Sequence, residues 1–305
     1  MTVIPWLGHA IEAASLVLFG WCWLEARAQR RGLHVELGIA VLYGWLLETL
    51  DMWIFGTYHY GPLTWWWVGH VPVYIPLLWA TIIHSSMALS DRSGLPAWAR
   101  PFLDGLLAVL IDLAIDAIAI RLGLWQWRIP LNEGWFGVPA GNLCAWMWVA
   151  AWYGGVTRLV RRRIEECSEP RWHRWLVPLF AYAGLFSSLF LIGISGQWLG
   201  LTEQNERLWL FVGHLAVFLA VVVAAAHRAP ALRSDPPILR SLVWNRWLMH
   251  GSFLILLLAS GAWRAAPWLM AVSGLSLAGE WWAQRRCTVQ GKPALPAVDG
   301  GDMMP

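Results

Sequence analysis

The sequence predicts an all-α, polytopic integral-membrane bundle of about nine transmembrane helices, with its N-terminus outside. Three observations predict it. Hydrophobic residues fill 58% of the 305 positions and charged residues only 13%, against about 25% charged in a soluble domain. The apolar residues run in long blocks rather than in alternation, with a mean hydropathy of +0.50, and blocks of roughly 20 residues are what a bilayer requires. The basic residues, finally, collect in alternate loops.

The spans fall at about 4–24, 34–55, 69–90, 102–122, 137–159, 175–196, 208–227, 241–260 and 263–283. No basic residue precedes the first block, which therefore reads as a retained helix and not as a cleaved signal peptide. With the N-terminus outside, every basic residue except Arg121, Arg128, Arg207 and Arg264 lies on the inner side, as the positive-inside rule expects. The net charge of +3 thus reports topology and offers nothing to nucleic acid. The bacterial cytoplasmic membrane is the expected location, with the lipid bilayer as the solvent partner. The chain divides into a membrane core at 1–160, further membrane helices at 161–287 that complete the bundle or shape an entrance from lipid, and a Gly- and Pro-rich disordered tail at 288–305. Cys22, Cys144, Cys167 and Cys287 form no CxxC pair, so neither a disulfide framework nor a zinc site is expected.

Polar residues stand out against this background. A carboxylate at a helix centre costs about 2.5–3.5 kcal/mol on insertion scales. Span 4 nevertheless carries Asp112 and Asp116, one helical turn apart on one face. Span 2 carries Glu48 and Asp51, also on one face. Span 1 adds His9 and Glu12, span 5 adds Asn142, and the outer loops add Tyr58, His59, Tyr60, His70, Trp125 and Trp127. All of these fall in the outer half. A single intramembrane carboxylate is often hydrogen-bonding glue between helices. Four at matched depth, with no Lys or Arg expected inside the bundle to neutralise them, predict a functional cavity. Near the inner edge of span 9, Glu280 is expected to snorkel to the interface.

The residue types limit the chemistry. A carboxyl group in a dry site holds its proton more tightly than in water, and a like neighbour adds to this. Aromatic faces stabilise a desolvated cation by about 2 kcal/mol. The outer loops WIFGTYHYGPLTWWW and GLWQWRIPLNEGWFGVP are rich in such faces. Most of the 26 Trp belong to the interfacial belt; Trp125 and Trp127, beside the span 4 carboxylates, are the exceptions. Acid carboxyls within aromatic walls suit protonation of an alkene and shelter of the carbocation that results.

Four blocks carry a family resemblance. LLETLDMWIFGTYHYG resembles a Glu-containing helix followed by a G-x-Y-x-Y turn. VPVYIPLLWA, with Trp79, resembles V-P-x-x-x-P-L-x-W. IDLAIDAIAIRLGLWQW resembles D-x-x-x-D-P-V-A-x-x-x-G-x-W-x-W, with Ala117 where the pattern has Pro. WFGVPAGNLCAW, with Asn142 and Trp146, resembles Y-x-G-V-P-x-x-N-F-x-G-W, with Leu143, Cys144 and Ala145 after the Asn. In this order, over residues 40–155, they resemble the membrane-bound carotenoid biosynthesis family of CruF-type carotenoid 1,2-hydratases. The resemblance implies addition of water across the terminal double bond of an acyclic carotenoid, giving a tertiary alcohol with no cofactor or metal. It implies Asp112 and Asp116 as acid and water-directing pair, with Glu48 and Asp51 behind them or as the alternative acid. Tyr58, Tyr60, Trp79, Trp125, Trp127, Asn142 and Trp146 become the substrate-binding residues, and a lipophilic polyene or terpenoid the partner.

Rival readings share parts of this pattern. A proton-initiated terpene or carotenoid cyclase would use the same first step, with an internal alkene capturing the cation. A prenyltransferase would need Mg²⁺ and basic partners for diphosphate, and a diiron hydroxylase clustered histidines. A haem-b electron carrier could use His70 with His84 on span 3 and His214 with His227 on span 7. A transporter would show a repeat between its halves, and none is visible.

Overall fold

The computed structural model describes residues 6–29, 32–227 and 239–289. The first residues of the predicted first span, Arg30, Arg31, Arg228, Arg233 and Lys292 of the charge pattern, and the tail from 290 onward lie outside the described residues.

In chain order the elements are α1 (Leu7–Ala28), α2 (Leu33–Ile54), β1 (Tyr58–Tyr60), β2 (Trp67–Val68), β3 (Val71–Pro72), α3 (Tyr74–Asp91), α4 (Arg100–Leu122) and β4 (Trp125–Trp127). They continue with α5 (Ala140–Glu166), α6 (Val177–Trp198), α7 (Gln204–Ala226), α8 (Arg240–Ala259) and α9 (Trp268–Val289). Each apolar block of the sequence thus holds one helix. The third and ninth begin later than expected, and the ninth runs through Val289, past the predicted start of the tail. Five of these helices, α1, α2, α6 with its preceding 3₁₀ turn, α7 and α8, are long and apolar enough to cross a membrane. α6 and α7 also expose large apolar side chains such as Phe190, Leu191 and Trp209, a surface that only lipid solvates well. The protein is an integral-membrane helical bundle.

α4 is the axis of the bundle. It packs against α3, α5, α7, α8 and α9, and most of its side chains are buried. Its carboxylates make it too polar for a lipid-facing helix, and its neighbours shield it on all sides. The apolar core joins Ile111, Ile115 and Ile118 of α4 to Met147 of α5, Phe218 of α7 and Phe253 of α8, so it runs continuously across residue 160.

Two short antiparallel ribbons interrupt the helices. β2 and β3 form a hairpin around Gly69 and His70, and β1 pairs with β4 across the intervening residues 61–124. The sequence placed β1, β2 and β4 in loops and β3 at the start of the third span. YHY and WQW alternate in polarity with the period of a strand, and that alternation is what the ribbon uses.

Three sequence expectations need correction. Glu280 does not snorkel: it is fully buried and ion-paired with Arg246, whose guanidinium donates from Nε to Oε1 and from Nη2 to Oε2, both at 2.7 Å. Arg246 belongs to the bundle interior, not to an inner loop, because Ser85, Ser86 and the Leu107 carbonyl accept its remaining donors. Cations therefore do occur inside. A second ionic cluster closes the end of the bundle where α4 begins. There Arg158 pairs with Asp104 at 2.5 Å and Asp91 at 2.7 Å, and Arg161 and Arg174 pair with Glu36.

Candidate active site

The opposite end of the bundle, where α2 and α4 end and α1, α3 and α5 begin, encloses a cavity of about 900 Å³. Its floor comes from α2 and α4. The i, i+3 spacing of Glu48 and Asp51 and the i, i+4 spacing of Asp112 and Asp116 turn all four carboxyls toward it. Glu48, Asp112 and Asp116 keep only 7%, 1% and 2% of their accessible surface; Asp51, half-buried, accepts a hydrogen bond from Thr57 Oγ1 at 3.3 Å.

The roof is the β1–β4 ribbon. α4 ends at Gly123, whose φ of +75° lets the chain reverse. Gly61 then passes so close that a Cβ there would sit 2.2 Å from the Gly123 carbonyl oxygen. The register pairs Tyr58 with Trp127, His59 with Gln126 and Tyr60 with Trp125. Alternation sends the four aromatics to one face and exposes His59 and Gln126 on the other.

Each aromatic of the ribbon carries a donor, and the donors divide between two carboxylates. The Tyr58 and Tyr60 hydroxyls both donate to Glu48 Oε2, and Trp79 Nε1 of α3 donates to Oε1 at 2.6 Å. Trp125 and Trp127 donate through Nε1 to Asp116 Oδ1 at 2.5 and 3.0 Å. Asn142, at the start of α5, donates to Asp116 Oδ2 at 2.7 Å and to Asp112 Oδ2 at 3.2 Å. One amide nitrogen thus touches both aspartates, which makes them near neighbours. Glu48 and Asp116 each hold three neutral donors; Asp112 holds one long one. Burial, and then the Glu48 carboxylate beside them, push the Tyr58 and Tyr60 phenols well above the ordinary tyrosine range, so both remain donors at neutral pH.

Aromatic faces complete the walls. Trp79 lies against Trp146 with ring centroids 4.2 Å apart, and Tyr58 against Trp127 at 4.6 Å. All eleven residues assigned from the sequence to catalysis or substrate binding line this one cavity. The predicted depth layer does not hold throughout. Glu12 accepts the backbone N–H groups of Trp65 and Trp66 at 2.7 and 3.1 Å, and His9 stacks on Trp65. Both anchor the β2–β3 hairpin and stand outside the cavity lining. Nor do the histidines pair as haem ligands would require. His70 sits in the hairpin turn before α3 starts, and His227 caps α7. His84 and His214 spend Nδ1 on the carbonyls of Ala80 and Leu210. A buried cation, Arg121, does stand on α4 near the site, but it donates to the carbonyls of Ala117, Phe136 and Leu131 and so pins the loop ahead of Asn142.

Sequence reasoning missed the contribution of the second half of the chain. Met249 and Phe253 of α8 reach the cavity, and so do Gln197 of α6 with Gln204 and Arg207 of α7. Nothing in the motifs signals them, since only packing brings these helices alongside. Compared with known proteins, the chain matches the family model described as carotenoid biosynthesis protein over residues 9–199. That stretch includes every residue of the α2, α4, α5 and ribbon site. Searches of curated proteins and of solved structures return no match.

Proposed function

The chain belongs to the carotenoid biosynthesis protein family, and from that premise we propose that it is a carotenoid 1,2-hydratase, spanning the bacterial cytoplasmic membrane nine times with the N-terminus and the acidic cavity on the outer side. The observation that carries this reading is the unequal solvation of three buried carboxyl groups in one aromatic cavity.

A carboxylate is stabilised by the donors that point at it. Glu48 and Asp116, with three donors each, are the better stabilised as anions. Asp112, with one long contact, is built to carry the proton. In the first step the Asp112 hydroxyl gives its proton to the less substituted carbon of the terminal alkene. The π pair forms the new C–H bond and leaves a tertiary cation. Glu48 and Asp116 offset that charge, and the faces of Trp79, Trp146 and Trp125 surround it. In the second step a water oxygen adds its lone pair to the cation. Its surplus proton passes to Asp112, now a carboxylate, and the starting state returns. Asp116 accepts a hydrogen bond from that water and aims it. No electrons are exchanged, so the cycle needs no redox partner.

Water must reach the cation, and the cavity provides for it. Gln197, Gln204 and Arg207 line the part of the wall where α6 meets α7, a polar rim at the end of the apolar α6 wall. A cyclase, whose cation is captured by its own substrate, gains nothing from such a rim. The test is expression in a bacterium that accumulates open-chain carotenoids, with product masses recorded. A gain of one water per reacting end is expected. An isomer of unchanged mass would replace hydration by cyclisation.

A further inference from the structure

The cavity is larger than an end group needs, and its excess volume has a direction. Along α6 it is lined by Leu185, Leu189, Ile192, Gly193, Gly196 and Gln197, a stripe on one helical face that extends roughly 18 Å at 1.5 Å per residue. The wall is apolar at Leu185 and Leu189 and turns polar only at Gln197. Gly193 leaves an opening in it: a Cβ built there meets no atom within 4 Å. Gly141, in the first turn of α5, lines the same cavity and is equally open. α6 packs on α5 through Trp152 Nε1, which donates to Ser188 Oγ at 3.0 Å, and through Gly184, which lies against the Trp152 ring. From that close contact the two helices continue toward the mouth, where Gly141 of α5 and Gly193 of α6 each leave open space in place of a side chain.

We propose that this α6 trench holds the unreacted tail of a long, linear polyene, and that Gly193 is a specificity-determining residue which admits it. The inference rests on the hydratase reading for the identity of the reacting end. The apolar stripe is continuous with the space around Asp112, so a rod-shaped chain lies against Leu185, Leu189 and Ile192 while its end group meets the carboxyls. A side chain at position 193 would occupy the tail's path and leave the end-group pocket of α2, α4 and the ribbon untouched.

The experiment compares the wild-type protein with Gly193→Trp, purified in detergent micelles. Each is titrated with lycopene and with a short acyclic terpene that carries the same trisubstituted end, and quenching of tryptophan fluorescence is read. The expected result is a rise of about tenfold or more in the lycopene Kd of Gly193→Trp, the equivalent of roughly two lost methylene contacts, with the short-chain Kd unchanged. Unchanged lycopene binding would overturn the trench. So would equal weakening for both chains in a variant that melts like wild type, because position 193 would then belong to the end-group pocket. If the two chains separate as expected but neither gains water, the trench stands and the hydratase reading falls. If Gly193→Trp hydrates lycopene at the wild-type rate, the trench falls and the hydratase reading stands.

Discussion

The two ends of α4 hold carboxylates of opposite character. Where the helix begins, Asp104 is fully buried, held by Arg158 at 2.5 Å and bonded to Ser90. From its middle toward its other end, Asp112 and Asp116 are equally buried, yet every partner is neutral: two indoles and an amide. The first end contains a compensated charge and close packing; Gly154 approaches so near that a Cβ would meet Asp104 Oδ2 at 2.2 Å. The second contains uncompensated carboxyls around an open cavity. A buried carboxylate with a guanidinium partner holds helices together. A buried carboxyl with neutral donors and space in front of it retains the freedom to exchange a proton.

Substitutions at either end separate chemistry from stability. After loss of the proton donor Asp112 itself, the largest expected effect on chemistry is at Asp116. Asp116→Asn removes an anion that offsets the cation and aims the water, and should lower hydrated product by about 10²–10³-fold, the range of a lost charge-stabilising group, with the thermal midpoint in detergent unmoved. The largest effect on stability is expected elsewhere. Arg246→Ala strands Glu280 without its cation, and such a loss costs about 3–5 kcal/mol; a thermal melt should show it, while turnover per folded molecule stays near wild type. Trp127→Phe removes one of three donors from Asp116. A hydrogen bond to a charged group is worth about 1.5–3 kcal/mol, so product formation should fall by about 10- to 100-fold. Gln126→Ala, one residue away on the other face of the ribbon, should change neither rate nor melt. At the bottom of the scale, the exposed Arg162–Glu166 pair should be silent: Arg162→Ala ought to leave both readings at wild-type values.

Much of the active end was legible in the sequence, because depth and helical spacing suffice to gather Glu48, Asp51, Asp112 and Asp116. The aromatic roof was legible only in part. Tyr58, Tyr60, Trp125 and Trp127 could be named, but their division between Glu48 and Asp116 depends on a pairing across the whole of α3 and α4, and two three-residue strands carry too little periodicity to announce it. The ionic end was not legible. Arg158 and Arg161 read as topology signals, and Glu36, Asp91 and Asp104 lie on three other helices whose closeness to them no local pattern encodes. Arg246 and Glu280 failed for the same reason: 34 residues apart, each reads alone as an interfacial charge. Glu12 erred in the opposite direction, since matched depth placed it with the acids while the hairpin backbone claims both its oxygens.

In the proposed mechanism Asp112, the fully buried carboxyl with the fewest donors, delivers the proton. The most direct test of that step is turnover of an open-chain carotenoid by wild type, Asp112→Asn and Asp112→Glu in the same membranes, with product followed by mass and folding by thermal melt. Wild type should add one water, Asp112→Asn should add none while melting normally, and Asp112→Glu should recover part of the activity. Hydrated product from Asp112→Asn at the wild-type rate would contradict the assignment and return the acid to Glu48 or Asp116.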